Sequence, residues 1–153
     1  MDTEILPSTL ERLPDTILLN EQIKMWTSLI SNKKQWESIF GVNYTPKKLK
    51  ISYAIFKDNS ITLTLYNAIE GNEAPDKWLK NGYNEYEFEL LLNNVTNVNI
   101  TNFSFYGALD LTIIKNSTDN DIQIEINNFC KIECKAQSIS AINIKAYHND
   151  GSV

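Results

Sequence analysis

EYEFELLL, residues 85–92, places Glu85, Glu87 and Glu89 at every second position with Tyr86, Phe88 and Leu90 between them. In an extended strand, side chains two apart share a face. The glutamates therefore form one acidic row, and the aromatic and aliphatic residues point the opposite way into a core. Such a row can be catalytic, metal-binding, a docking surface for a basic partner, or simply the wet side of a sheet.

The same period of two runs through most of the chain beyond residue 92. VNITNFSF, LDLTIIK, DIQIEI, FCKIECKA and ISAINIKAY all alternate or carry β-branched runs, and KNSTDND (115–121) and Gly107-Ala108 punctuate them as turns. Upstream, KLKISYAIF (48–56) puts Leu49, Ile51, Tyr53 and Ile55 on one face. KDNS (57–60) turns the chain, and ITLTLYN sets Ile61, Leu63 and Leu65 on one side, so residues 48–67 read as a hairpin. EGNEAPDKWLKNG (70–82) has turn chemistry at both ends and reads as a long loop with room for one helical turn.

Before Pro46 the period is three to four. Asn20 is placed to cap a helix whose stripe is Ile23, Met25, Trp26, Leu29 and Ile30. Ser31 is placed to cap a second, short helix with Trp36, Ile39 and Phe40 inward and Gly41 at its end. Residues 1–20, with Pro7 and Pro14, read as a loosely packed leader. The expectation is one α+β domain over residues 1–153, mostly β. Its helices (21–41) pack on a largely antiparallel, meandering sheet or a two-layer β structure (48–147).

With 42% hydrophobic and 22% charged residues, the composition is that of an ordinary globular protein. No run of about 18 apolar residues is present to cross a bilayer. The acidic start MDTEILPSTLERLPD lacks the basic and apolar regions of a secretory signal, so the expected setting is the cytoplasm. Cys130 and Cys134 share one face of an alternating stretch. Their Cα atoms would lie about 13 Å apart as a strand, beyond the ~7 Å limit of a disulfide, so two buried thiols are expected.

The chemistry available is limited. The single histidine, His148, lies in a polar tail, and no triad, HExxH motif, GxGxxG or GxxxxGK[ST] occurs. Adjacent glutamates of the row would stand about 6.5–7 Å apart, near the separation in inverting glycosidases, but they share one environment rather than two opposed ones. A flat strand face diverges, unlike a calcium cage, and the segments at 58–61 and 117–121 that resemble calcium loops read more simply as hairpin turns. A net charge of −5 disfavours nucleic acid, and Lys47, Lys48 and Lys50 read as a lysine-protected strand edge. No cofactor or metal is called for, and an enzyme is not expected.

Trp26 and Trp36 read as core. Trp78 differs, because it lies in a proline-bearing loop beside Glu70, Glu73 and Asp76 and could anchor a binding surface or plug the sheet. The surface nominated for partner binding is therefore Glu70, Glu73, Asp76, Trp78, Glu85, Glu87 and Glu89. The aromatic residues Tyr83, Tyr86, Phe103, Phe105 and Tyr106 support a different reading, a non-catalytic carbohydrate- or peptide-binding β domain.

Two helical tryptophans, the Phe40-Gly41 pair, Pro46 before a hydrophobic hairpin, PDKW at 75–78 and then consecutive strands form a recognisable order. Over roughly residues 22–147 the chain resembles the Immunity protein 50 family of bacterial polymorphic-toxin systems. The resemblance implies a cytoplasmic antitoxin that binds a cognate toxin domain and covers its active site. An acidic surface suits a basic, nuclease-type toxin as that partner. No functional residue is carried over from the family.

Overall fold

The structure, a computed structural model, describes residues 25–42, 44–71 and 74–151. The leader expected over 1–20 and the start of the first helix lie outside these residues. Where the first helix continues into the described chain, a 3-10 turn at Trp26–Ser28 replaces it. The helix α1 spans Lys33–Phe40. Then come strands β1 (Lys50–Lys57) and β2 (Ser60–Ala68), the short helix α2 (Asp76–Lys80), and strands β3 (Glu85–Asn93), β4 (Thr96–Thr101), β5 (Leu109–Lys115), β6 (Asn120–Ile126), β7 (Cys130–Ala136) and β8 (Ser138–Tyr147).

The strands form two antiparallel four-stranded sheets, ordered β1-β2-β3-β8 and β4-β7-β6-β5. Chain neighbours pair within β1-β2-β3 and β5-β6-β7, as a meander requires. The pairs β3-β8 and β4-β7 are distant in sequence, and the β4-β7 pair makes the second sheet a Greek key. Both connections between the sheets, β3 to β4 and β7 to β8, pass the same corner. There Gln137 N–H donates to the Asn93 carbonyl at 2.9 Å and the Asn94 amide to Gln137 Oε1 at 2.8 Å.

Inward residues of both sheets make one core. Tyr86, Phe88, Leu90 and Leu92 of β3 face the same interior as Ile113, Ile122, Ile124 and Ile126 of the second sheet. Cys130 and Cys134 are buried free thiols on β7. Along β1 the expected face does not persist: a bulge between Ile51 and Tyr53 inserts Ser52 and reverses the alternation. Ile51 is buried, whereas Tyr53 and Ile55 are exposed.

The helical segment covers one end of the interior. Trp36 is buried and meets Phe88 edge-on at 5.1 Å and Trp26 at 5.8 Å between ring centroids, and its Nε1 donates to the Tyr44 carbonyl at 3.2 Å. Asn32, not Ser31, occupies the N-cap of α1, and its side chain does not cap the helix. Its amide instead pairs with the Ala141 backbone, Ala141 N–H donating to Asn32 Oδ1 at 3.0 Å, while Ser31 N–H donates to the Ile139 carbonyl at 2.7 Å. These contacts satisfy backbone groups on the free edge of β8. Gly41 ends the helix as expected, at φ 86°, its N–H donating to the Glu37 carbonyl.

The asparagine-rich composition has a conformational explanation. Asn94, Asn97, Asn102, Asn127, Asn128 and Asn143 all have positive φ, a region that asparagine tolerates better than other residues with a Cβ. The chain turns on asparagine where many β proteins use glycine.

Candidate functional site

Glu85, Glu87 and Glu89 all project from the outer face of β3, as their spacing requires. The neighbouring edge strand presents a matching row: Lys145 Nζ lies 3.0 Å from Glu87 Oε1, the Tyr147 hydroxyl donates to Glu85 Oε2, and the Asn143 amide donates to Glu89 Oε2. Asn149 adds a donor to Glu85 at 3.3 Å. The ladder is thus knitted into the β3-β8 pairing. The Lys145 ammonium is held above its ordinary pKa, first by its hydrogen bond to Glu87 and then by the charges of Glu87, Tyr53 and Glu89. Burial, followed by the hydrogen bond to Glu85, raises that of Tyr147.

The outer face is not flat. A hollow of about 370 Å³ opens at its centre, lined by Tyr53, Thr64, Glu87, Glu89, Asn143 and Lys145 among others. Two irregularities flank it. Tyr53, Thr64 and Glu89 stand in register across β1, β2 and β3; the β1 bulge lies beside Tyr53, and a second bulge falls in β8 where Glu87 pairs Lys145 but Glu89 pairs Ile142. That second bulge holds Asn143 at φ 53°. Bulges re-aim side chains and recur next to functional sites.

Thr64 sits at the floor. It points outward, since its neighbours Leu63 and Leu65 belong to the core, yet it is only 4% exposed. Among the described residues, its Oγ1 is the buried side-chain polar atom that has no hydrogen-bond partner. A buried hydroxyl without a partner is costly, by about 1–3 kcal/mol.

The other nominated residues lie elsewhere. Trp78 is half-buried and packs on Phe40 at 5.5 Å and on Tyr86 at 5.7 Å. Tyr86 belongs to the inward face of β3, so Trp78 lies on the side opposite the glutamates and plugs the aromatic end of the core. Glu70 and Asp76 are exposed, Asp76 in the first turn of α2, and Glu73 lies outside the described residues. The aromatic set is likewise divided: Tyr86 is buried, whereas Phe103 and Tyr106 are strongly exposed in the β4-β5 connection.

Five contributors to the outer face carry no sequence signal that singles them out: Tyr53, Thr64, Asn143, Lys145 and Tyr147. The period of β1 points Tyr53 inward, because a bulge leaves no local signature. Asn143, Lys145 and Tyr147 do show a period of two, but only the β3-β8 pairing reveals that they answer Glu89, Glu87 and Glu85. The segments at 58–61 and 117–121 form hairpin turns, the latter closed by an Asn116 amide to Asp119 carboxylate bond of 2.9 Å. Among the described residues, no helix is long and apolar enough to cross a membrane.

The sequence model of the family described as Immunity protein 50 matches residues 32–147, from the N-cap of α1 to the last residue of β8. No curated protein and no solved structure matches the chain.

Proposed function

The chain belongs to the Immunity protein 50 family, and from that premise we propose that it neutralises a cognate toxin domain by binding over the toxin's active site through the outer face of the β1-β2-β3-β8 sheet. The observation that carries the choice of face is the recessed glutamate ladder. Three carboxylates lie in one row beside a hollow, on a chain of net charge −5. Opposite charge at a binding surface steers encounter and excludes wrong partners. The partner this favours is a basic one, such as a nuclease whose substrate groove must attract phosphate. Occlusion requires no catalytic group from this chain.

The test uses the toxin domain expected to be encoded beside this protein. Cells expressing that domain should grow only when the protein is present, and the two should purify as a one-to-one complex. Glu85→Gln, Glu87→Gln and Glu89→Gln combined keep the side-chain size while removing the charge. Association should then slow by about tenfold or more at low salt, with the difference shrinking as salt is raised. Unchanged association kinetics in a folded triple variant would remove the ladder from the interface. Binding that depends on Phe103 and Tyr106 would move the interface to the exposed aromatic end.

A further inference from the structure

The glutamate ladder does not explain the hollow. Sheet faces turned to solvent ordinarily leave threonine hydroxyls wet, but Thr64 is enclosed with its hydroxyl unanswered by any group among the described residues. A hydroxyl can both donate and accept, and an ionised carboxylate offers about four acceptor sites. Glu87 meets Lys145 through Oε1 and Glu89 meets Asn143 through Oε2, so each has its second oxygen without a donor among the described residues. Two carboxylate oxygens therefore line the hollow, with the enclosed Thr64 hydroxyl beneath its floor and the ring of the half-exposed Tyr53 at its wall.

The charge of the lining selects the ligand's sign. Glu87 and Glu89 oppose the single ammonium of Lys145, and that ammonium is already favoured in its charged form by Glu87, Tyr53 and Glu89. The Lys145 side chain is 67% exposed, free to swing toward solvent and yield its place beside Glu87. The shape of the acceptor set selects the ligand's chemistry. A planar group with several fixed donors can serve acceptors on two strands at once and stack on an aromatic ring, whereas an ammonium is a point charge.

We propose that the hollow is an anchor site for one arginine side chain of the toxin, its guanidinium donating to Glu87, Glu89 and the Thr64 hydroxyl while lying against Tyr53. This rests on the toxin-binding reading of the same face and specifies its central contact. Buried arginines are common among the few residues that carry most of an interface's binding energy. A desolvated guanidinium here would satisfy the one buried hydroxyl that the described fold leaves unanswered.

The experiment titrates N-acetyl-arginine methylamide into the isotope-labelled full chain and follows backbone amide shifts by NMR. The lysine and citrulline analogues serve as comparison probes. Saturable shifts centred on Thr64, Glu87, Glu89 and Asn143 are expected with arginine, weaker with lysine and absent with neutral citrulline. Glu89→Gln should weaken arginine binding by about tenfold, as for the loss of a charged hydrogen bond. Thr64→Val should also weaken it without lowering the melting temperature, which separates a binding role from a structural one. No shifts at these residues up to the solubility limit, or equal shifts with citrulline, would overturn the anchor site. Equal binding of lysine would overturn the guanidinium assignment. Growth rescue by the unmodified protein is read separately, so failure of the anchor leaves the immunity reading standing, and failure of rescue does not depend on the probe.

Discussion

At the residue scale, Thr64 and Cys134 give opposite lessons about buried polar atoms. Thr64→Val retains the branched shape and removes a hydroxyl that has no partner among the described residues. Its unfolding free energy, measured by urea denaturation, is expected to be unchanged or raised by up to about 2 kcal/mol; a clear loss would mean that the hydroxyl is satisfied within the protein. Cys134 is buried as a thiol, and burial pushes its pKa from 9.0 up to about 11. Because the folded value is the higher one, the folded state holds its proton more tightly. The stability linked to it is complete below pH 9 and declines as pH rises toward 11. The raised pKa values of Lys135, Lys145 and Tyr147 have the same sign. Stability should therefore fall on the alkaline side of about pH 9, and native Cys134 should react with a thiol reagent far more slowly than in denaturant. Asp121 acts at the other end. The hydrogen bond from Lys135, at 2.7 Å, is the main reason its pKa is lowered, so its contribution is present at neutral pH and lost in acid.

At the element scale, the turns and bulges decide where side chains point. Gly107 has φ 105°, and a Cβ there would lie 2.7 Å from Asn127 Cβ, in the β6-β7 turn. That turn is itself tight: Asn127 and Asn128 both have positive φ, and the Phe129 N–H closes it on the Ile126 carbonyl at 3.0 Å. Gly107→Ala thus combines backbone strain with a collision against a constrained neighbour. A loss of about 1–3 kcal/mol is expected in chemical denaturation. The bulges in β1 and β8 bring Tyr53 and Asn143 to the outer face beside Thr64. The ion pair on that face joins the exposed Lys145 to Glu87, and solvent around the lysine keeps its contribution to stability small. Neutralising it is therefore a fair test of binding.

At the scale of the whole molecule, the aromatic cluster joins the helical segment to the sandwich. Trp36 touches Trp26, Phe40, Tyr44 and Phe88, and Trp78 extends the cluster through Phe40 and Tyr86. Trp36→Ala should cost about 3–5 kcal/mol, a large part of the roughly 5–15 kcal/mol available to a domain. The expected result is a markedly lower melting temperature. A small effect would mean that α1 contributes little to the cooperative unit. Since Asn32 and Ser31 also cover the β8 edge, loosening the segment would uncover strand backbone and the outer face's last strand together.

The sequence by itself determined most strands of the second half, the inward faces of β3 and β7, the two buried cysteines and the outward direction of Glu85, Glu87 and Glu89. A period of two is a local property, and burial of one face enforces it. It also carried the family resemblance, because the order of short motifs survives without any knowledge of contacts. Tertiary structure alone decided that the strands form two sheets, that β3 pairs with β8, and that Trp78 faces away from the glutamates. Those facts depend on pairings between residues far apart in the chain, for which local pattern holds no information. The hollow at Thr64 belongs to the same class. It arises from one inserted residue in β1, an irregular step in β8 and the register of the two strands between them, and no one of these segments encodes it alone.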